Sequence, residues 1–352
     1  MLSYVVVTVI SAILIIHLYR LARFMEYDKQ DIIYKHYPGP CIQLEGADGG
    51  SEDLTTLPGG LTFISSGVLP DRPDTKPRIL LFDFKNPTHK VTELKIDGHI
   101  LGFRPHGLSA WTEPNSDIVT LMVINHGETE AVEIFEFTLG TNVLKHIKSV
   151  STQGKGLNDI TAVGKDSFYG TQDLEYRYGT VMSSIELGGL LALGKVWYFK
   201  GQDMKLVLSG LWGPNGMNVS PDLRYVYVAE LFNKNILTYK RNEDGSLQLV
   251  KKLFIDTNPD NIEVDPKTGD IWVACHPRIY AIMDYLTKYN GKAITPSQVL
   301  KIKTENGVTT SDITEVFLDD GKFCSASSTA SYYKRRMLIG TVASELVLCD
   351  VL

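Results

Sequence analysis

One short unit recurs along the chain at intervals of about 50 residues: a polar or glycine-containing turn, an apolar strand, a second turn and a second strand. A period of about 40–50 residues with several short strands per unit is typical of a β-propeller blade. Six such units fit a chain of 352 residues, and large all-β folds of this length often form one domain. We therefore predict an all-β, six-bladed β-propeller over residues 41–352. The units begin at Glu52-Asp53-Leu54, Pro105-His106-Gly107-Leu108, Asn158-Asp159-Ile160, Pro214-Asn215-Gly216-Met217 and Asp260-Asn261-Ile262, with a degraded sixth unit around Asp312-Ile313.

The segments between these turns have the composition of strands. Runs such as Val119–Ile124 and Tyr225–Val228 are rich in β-branched and aromatic residues. Helical patterns are scarce, and the best one lies between Ser183 and Leu193. A content of 43% hydrophobic and 22% charged residues is typical of a globular protein. The net charge of −6 and the lack of a long basic stripe argue against nucleic acid as a partner.

The N-terminus carries an apolar run from Leu2 to Leu18, at the short end of the length that crosses a bilayer. A cleaved signal peptide would be followed by small residues. The segment Tyr19–Phe24 lacks that pattern. We therefore predict an uncleaved signal anchor at 1–23 and a linker at 24–40, with a cleaved signal peptide as the alternative.

The four cysteines are Cys41, Cys275, Cys324 and Cys349. None belongs to a CxxC pair, so a zinc site is not expected. A bridge between Cys41 and Cys349 would close a very long loop and would need an oxidising compartment. The alternative is four reduced, buried cysteines.

The two signals for the compartment conflict. Arg20, Arg23, Lys29 and Lys35 follow the apolar run, and the positive-inside rule would keep the globular part in the cytosol. A disulfide argues for the opposite side, and large domains translocate largely regardless of charge. We predict a membrane-anchored propeller in the ER lumen or outside the cell, with secretion as the alternative.

The start of each inner strand lies beside the axis of a propeller, so residues at matching points of successive units converge there. The converging side chains all offer oxygen. Carboxylates and amide carbonyls are the ligands of a hard cation with a flexible shell, which favours calcium over magnesium or zinc. The set is large enough for two calcium sites, although the same residues are common turn caps. Its members are Glu52, Asp53, Asn158, Asp159, Asn215, Asp260 and Asn261.

Two histidines, His106 and His126, each lie near an end of a strand run and are expected in one blade. A histidine beside a calcium can act as a general base on water. The alternative for each is a structural or surface histidine. His276 is a third candidate with the same alternative.

From about Cys41 to the C-terminus the chain resembles the paraoxonase family of calcium-dependent lactonases and arylesterases. This resemblance implies a six-bladed propeller with two central calcium ions. It is carried by Gly50-Ser51-Glu52-Asp53-Leu54, residues 58–67 (PGGLTFISSG), Leu157-Asn158-Asp159-Ile160, Phe168-Tyr169-Gly170-Thr171, residues 218–230 (NVSPDLRYVYVAE), Asp260-Asn261-Ile262 with Val264-Asp265-Pro266, and Leu338-Ile339-Gly340-Thr341-Val342.

The resemblance also assigns roles to individual residues. His106 and His126 match the histidine dyad of the family, Cys41 and Cys349 match its ring-closing disulfide, and Cys275 matches its buried free cysteine. Cys324 lies outside the pattern. The family keeps a hydrophobic N-terminus, which agrees with an uncleaved anchor. The catalytic calcium would be held by Glu52, Asn158, Asn215, Asp260 and Asn261, and the structural calcium by Asp53, Asp159 and the backbone carbonyl of Leu108.

The function implied is calcium-dependent hydrolysis of lactones and aryl esters. The alternative is a non-catalytic, chaperone-like membrane protein that assists the assembly of membrane proteins such as ion channels. Gly213-Pro214, Leu174–Lys195 and Leu69–Arg78 depart from the family pattern, so the substrate is left open. The glycosylation sequon at Asn218 is expected to be inaccessible, because it follows a predicted ligand by three residues.

Overall fold

The computed structural model describes residues 2–27, 33–47, 49–69, 76–86, 88–287 and 294–352. Within these ranges, 25 strands form six sheets of four or five strands, which are the blades of a propeller. The predicted fold class is confirmed. Parts of the predicted linker and of the divergent loop, residues 28–32 and 70–75, lie outside the described residues.

The blades follow one another along the chain; one helix precedes them, and two others lie in connections between strands of the third and fifth blades. Helix α1 is Leu2–Met25, α2 is Val181–Gly188 and α3 is Ile279–Thr287. The strands are β1 Cys41–Leu44, β2 Asp53–Thr56, β3 Leu61–Ser66, β4 Arg78–Asp83, β5 Thr92–Glu93, β6 Lys95–Asp97, β7 Pro105–Thr112, β8 Ile118–Asn125, β9 Ala131–Thr138, β10 Val143–Ser151, β11 Ile160–Gly164, β12 Ser167–Gln172, β13 Gly194–Lys200, β14 Asp203–Leu211, β15 Pro214–Val219, β16 Tyr225–Glu230, β17 Asn235–Arg241, β18 Leu247–Phe254, β19 Asn258–Val264, β20 Ile271–His276, β21 Ser297–Glu305, β22 Val308–Asp319, β23 Ser327–Tyr333, β24 Arg336–Thr341 and β25 Leu346–Asp350.

In chain order the six blades are β2–β5, β6–β10, β11–β14, β15–β18, β19–β22, and β23–β25 with β1. The second strand of each blade, counted from the axis, is β3, β8, β12, β16, β20 or β24 and is buried on both faces. In β8 the side chains of Val119, Leu121 and Val123 pack towards the first blade. Met122 and Ile124 of the same strand pack towards the third blade. Because each blade is covered by a neighbour on either side, its central strands have continuous apolar sequences and do not alternate between apolar and polar residues.

The ring is closed by the two ends of the propeller. β1 joins the last blade by antiparallel pairing with β25, and Cys41 lies directly opposite Cys349. These two cysteines form a disulfide with a Cα–Cα distance of 4.1 Å, which confirms the predicted bridge. Cys275 and Cys324 are buried and unbridged.

Removing the disulfide is expected to destabilise the propeller strongly. The bridge spans 308 residues, and in the chain-entropy model a loop of this size contributes about 6 kcal/mol. The double variant Cys41→Ala/Cys349→Ala should therefore unfold at a much lower guanidinium concentration than the wild type. The matched variant Cys275→Ala keeps the disulfide and should lower the free energy of unfolding less. An equal loss of stability in both variants would contradict a special role of the disulfide in closing the ring.

The predicted start of the sixth blade is wrong. Asp312 and Ile313 lie within β22, the outer strand of the fifth blade, and the sixth blade begins with β23 at Ser327. The inner strand of that blade opens on small hydroxyl residues instead of the acid and amide residues that mark the others. Ser328 fills the place on the axis and donates from Oγ to the carbonyl oxygen of Glu52 at 2.6 Å.

The N-terminal helix packs against the propeller through its last turn. Phe24 stacks on Trp212 with a ring separation of 5.0 Å and meets Phe232 edge-on at 5.4 Å. Further up the helix, His17 Nε2 lies 2.8 Å from the carbonyl oxygen of Gly188 at the end of α2. α2 is shorter than predicted, because the chain leaves the helix at Gly189, whose N–H returns to the Ile185 carbonyl.

Candidate active site and calcium centre

The inner strands of the blades approach one another closely at the axis. Two glycines make this approach possible. A Cβ atom on Gly107 would lie 2.6 Å from the Cα of Asp159, and one on Gly216 would lie 2.3 Å from the Cα of Asn261. Any larger residue would force the blades apart, so these glycines bring the polar ends of neighbouring inner strands to one place.

The structure brings the predicted ligands together through direct contacts between blades. Asn261 Nδ2 donates to the backbone oxygen and to Oε1 of Glu52, both at 3.1 Å. Between the third and fourth blades, Thr171 Oγ1 donates to the carbonyl oxygen of Asn215 at 2.6 Å. Asn158 precedes β11 on the same side of the ring, where its N–H donates to the carbonyl of Thr171 at 2.8 Å.

Four of these side chains carry a buried oxygen that accepts no hydrogen bond from the described residues. An orphaned buried acceptor costs about 1–3 kcal/mol, while a whole domain is stable by only about 5–15 kcal/mol. These four atoms, all on residues predicted to bind calcium, fit a cation site at the axis. The atoms are Glu52 Oε2, Asn158 Oδ1, Asn215 Oδ1 and Asn261 Oδ1.

The chemistry of these donors fits a hard cation. Carboxylate and amide oxygens are the ligands that calcium prefers. Among the described residues, no group of three or more His, Cys, Asp or Glu side chains is placed to hold a metal. A cation at the axis would therefore depend on the amide oxygens of Asn158, Asn215 and Asn261 as much as on carboxylates, which disfavours zinc.

Asp53 and Asp159 form a second buried acidic group. Asp53 accepts the N–H groups of Leu54 and Leu108, both at 2.8 Å. Asp159 accepts those of Ile160 and Met217, both at 2.6 Å. Burial raises the pKa of both carboxyl groups well above their usual range, and repulsion from Glu52 adds to this effect in each.

The structure places Leu108 directly beside Asp53, as its assignment to the structural calcium requires. The contact that is seen runs through its N–H group. The assigned role of its carbonyl oxygen stays a prediction.

Asp260 is paired with the buried His276. His276 Nε2 lies 2.8 Å from Asp260 Oδ2, and His276 is 2% exposed. Burial raises the pKa of Asp260, and the histidine partly offsets this shift. His276 thus contacts a predicted ligand and orients it, a role that its sequence position had left open.

His106 and His126 lie on β7 and beside the end of β8, in the same blade as predicted. His106 Nδ1 is 2.9 Å from His126 Nε2. The other ring nitrogen of His106, Nε2, is 3.4 Å from Glu52 Oε1. The histidine pair therefore adjoins the cluster of orphaned oxygens.

The electrostatics of the two rings differ. Burial alone would lower the pKa of His106, but the adjacent Glu52 outweighs it and raises that pKa to about 9. A cation beside Glu52 would weaken this attraction. For His126, burial dominates and lowers the pKa, although Glu130 opposes it.

Sequence reasoning missed three acidic residues near the site. Glu130 Oε2 lies 3.2 Å from His126 Nδ1. Glu263 is 7% exposed and accepts from Asn218 Nδ2 at 3.2 Å. Its two-residue spacing from Asn261 puts it on the same strand face, a signal that could have found it. Asp173 accepts from the Tyr178 hydroxyl at 2.6 Å, and no sequence pattern marks it.

The contacts of Asn218 support the expected inaccessibility of its sequon. Its Nδ2 donates to the carbonyl oxygen of Ile262 at 2.9 Å and to Glu263. The nitrogen that a glycan would occupy is therefore engaged inside the fold.

The fold and the site together define a six-bladed propeller in which the predicted ligands and the histidine pair lie on or next to neighbouring inner strands. The comparisons with known proteins agree, and the chain belongs to the arylesterase family, whose model matches residues 36–351. The chain is 37% identical over 321 residues to serum paraoxonase/arylesterase 1 of Homo sapiens, covering 88% of each chain. It is 36% identical over 323 residues to serum paraoxonase/arylesterase 2 of Gallus gallus, again covering 88% of each. The predicted family is confirmed.

Solved structures with similar folds are more distant in sequence. The luciferin-regenerating enzyme superposes with a TM-score of 0.56 at 13% identity, covering 89% of this chain and 96% of that one. Regucalcin, a calcium-binding protein from Agrobacterium tumefaciens, superposes with a TM-score of 0.54 at 14% identity, covering 90% and 95%. At these identities the likeness concerns the fold.

Proposed function

We propose that this protein hydrolyses carboxylic esters and lactones. Family membership supports ester hydrolysis, since its relatives are named arylesterases and paraoxonases. The observation that carries the proposal is the set of four orphaned buried oxygens beside the His106–His126 pair.

The same oxygens support one calcium ion at the axis, and the buried acidic pair Asp53 and Asp159 supports a second. One would be held by Glu52, Asn158, Asn215, Asp260 and Asn261, and the other by Asp53, Asp159 and the Leu108 carbonyl. When bound, calcium would supply a Lewis acid that polarises a carbonyl oxygen and stabilises the charge developing on it.

The histidine pair handles the proton in this proposal. The ring must be neutral to act as a base, and a cation beside Glu52 would favour the neutral ring by offsetting the charge of that carboxylate. His106 Nε2 then takes a proton from the water that attacks the carbonyl carbon, and the departing alkoxide or phenoxide recovers one as the ester bond breaks. Because His106 Nδ1 lies 2.9 Å from His126 Nε2, a proton can pass to the second ring. Glu130, 3.2 Å from His126 Nδ1, stabilises the resulting positive charge.

The test is hydrolysis of phenyl acetate and of a panel of γ- and δ-lactones, with and without a calcium chelator. Turnover that the chelator abolishes and added calcium restores would support the proposal. A folded, calcium-binding protein without turnover on any of these substrates would instead favour the non-catalytic role in assembling membrane proteins.

We further propose that residues 1–23 anchor the propeller to a membrane. In the described part of the chain, one helix, Tyr4–Met25, is long and apolar enough to span a bilayer, with a mean hydropathy of 2.2. The nearby α2 exposes Val181 and Ile185, so it adds apolar surface on the same side as α1. A luminal or extracellular propeller agrees with the Cys41–Cys349 disulfide, and secretion after cleavage is the alternative.

Replacing residues 1–20 by a cleavable signal peptide is expected to release the protein from membranes. This change removes most of the apolar helix but keeps Phe24, which packs on Trp212 and Phe232. The full chain should stay in the membrane fraction after alkaline carbonate extraction, and the variant should appear in the medium. A full chain found in the medium with a shortened N-terminus would contradict the anchor.

A further inference from the structure

The backbone that carries His106 is irregular. Pro105 lies opposite Asn125 in the pairing of β7 with β8, and the register shifts between Pro105 and Leu108. This bulge turns His106 towards the axis. Proline has no N–H group to donate, so the ladder is interrupted just where the dyad is built.

The side chain of Asn125 replaces the missing connection. Its Oδ1 accepts the N–H of Arg104 at 2.8 Å and the N–H of Gly127 at 2.9 Å. The N–H of His126 in turn donates to the carbonyl of Arg104 at 3.0 Å. One amide oxygen thus links the backbone that precedes His106 to the backbone that follows His126. Asn125 itself is 1% exposed.

Glu133 sets the orientation of this amide. Asn125 Nδ2 donates to Glu133 Oε1 at 3.0 Å. The other oxygen of Glu133 accepts from His146 Nε2 at 2.8 Å and from Ser149 Oγ at 2.6 Å. An ionised carboxylate only accepts, so Glu133 draws the Nδ2 end towards itself and leaves Oδ1 facing the two backbone amides.

We propose that Asn125, held by Glu133, is the positioning residue that sets the distance between His106 and His126. The inference rests on the proposed function, because it acts through the dyad. Proton transfer depends steeply on donor–acceptor geometry, and a displacement of about 1 Å can cost about 10²-fold in rate. Asn125 touches neither the substrate nor the predicted calcium ligands in this assignment.

The fourth blade offers a matched control. There Pro214 lies opposite Glu230, and Glu230 accepts the N–H of Trp212 at 3.2 Å and Asn235 Nδ2 at 3.0 Å. Asn235 is 2% exposed, so it is as buried as Asn125 and makes the same bond to a glutamate. The described contacts of Glu230 and Asn235 include neither His106 nor His126.

The experiment exchanges the roles of donor and acceptor in the full chain. Asn125→Asp still accepts the two backbone amides but sets a carboxylate against Glu133, and we expect kcat for phenyl acetate to fall about 10–100-fold with little change in KM. In the double variant Asn125→Asp/Glu133→Gln the new glutamine donates to the new aspartate. That variant should recover at least about 10-fold in kcat. Asn235→Asp should lower the melting temperature comparably, and any change in kcat that it causes should be the same with and without His126.

Two further measurements separate the outcomes. In a His126→Gln background, Asn125→Asp should cost almost nothing more, because the partner through which it acts is gone. Nitrogen-15 NMR of the histidine rings should show the His106–His126 hydrogen bond weakened in Asn125→Asp and restored in the double variant, even where turnover is low.

The positioning role is overturned if the double variant shows no recovery, or if Asn125→Asp costs as much without His126 as with it. If His126→Gln alone leaves turnover unchanged, the dyad itself fails and the positioning role fails with it. If His126→Gln is impaired while Asn125→Asp is fully active, only the positioning role is lost.

Discussion

Replacing His106 by glutamine is expected to lower the hydrolysis of phenyl acetate and lactones by about 10²–10⁴-fold, the usual contribution of a general base. Glutamine keeps the approximate size and polarity of the ring but cannot take up a proton at neutral pH. The loss should appear in kcat, because His106 acts on the attacking water, while calcium binding persists because His106 is not an assigned ligand. Steady-state kinetics and calcium titration measure the two effects separately.

The control for this variant is His99→Gln. His99 lies in the connection between β6 and β7, next to the same blade, and is exposed, so the change should leave both kcat and calcium affinity intact. Unchanged turnover in His106→Gln would remove His106 from the mechanism. Loss of calcium binding together with turnover would show that the residue supports the metal centre instead.

Withdrawing calcium is expected to lower the melting temperature of the propeller by about 10 °C or more. Each site occupied at about 1,000 times its Kd contributes about 4 kcal/mol to stability, and in proteins of about 150–250 residues 1 kcal/mol shifts the melting temperature by about 2–4 °C. Without the ions, buried carboxylates at the axis are left facing one another. Burial raises the pKa of Asp53, Asp159 and Asp260, with repulsion from Glu52 adding to the shift in each.

These pKa shifts fix the sign of the pH dependence. A carboxyl group whose folded pKa lies above its unfolded value binds more protons in the native state, so stability falls as pH rises through the window between the two values. That window opens near the ordinary aspartate value of 3.8. His106, with its pKa raised to about 9, contributes stability below its unfolded value of 6.5 that is lost as pH rises through about 9. The lowered pKa of His126 acts in the opposite direction. Because Asp53, Asp159, Asp260 and His106 together outnumber it, the metal-free protein should melt at a higher temperature at pH 5.5 than at pH 8.

Calcium should abolish this trend, because bound ions favour the ionised ligands. Thermal melts at several pH values, in excess calcium and in excess chelator, measure the effect. Glu263→Gln should weaken the pH dependence of the melting temperature of the chelated protein. Burial, followed by repulsion from Asp53, raises the pKa of the Glu263 carboxyl well above its usual range, and the substitution removes this titrating group. Chelated and calcium-loaded melts that coincide at every pH would contradict a calcium centre at the axis.

The sequence by itself determined the architecture, because a repeat with a fixed period imposes one blade after another. It also predicted which polar residues lie near the axis, since Glu52, Asn158 and Asp260 open the first, third and fifth repeats at matching points. The start of the sixth blade was predicted wrongly, because Ser327 and Ser328 stand where the other inner strands carry acid and amide residues.

Only the tertiary structure decided which atoms are left without partners and which residues support the site. The orphaned oxygens of Asn215 and Asn261 depend on side-chain orientations that no spacing specifies. Likewise, Asn125 lies close to His126 in the chain, but its bond to Arg104, which holds the other histidine in place, crosses 21 residues. Local sequence patterns reveal the repeat of strands and turns. Hydrogen bonds between distant segments, in contrast, form only once the ring has closed and brought those segments together.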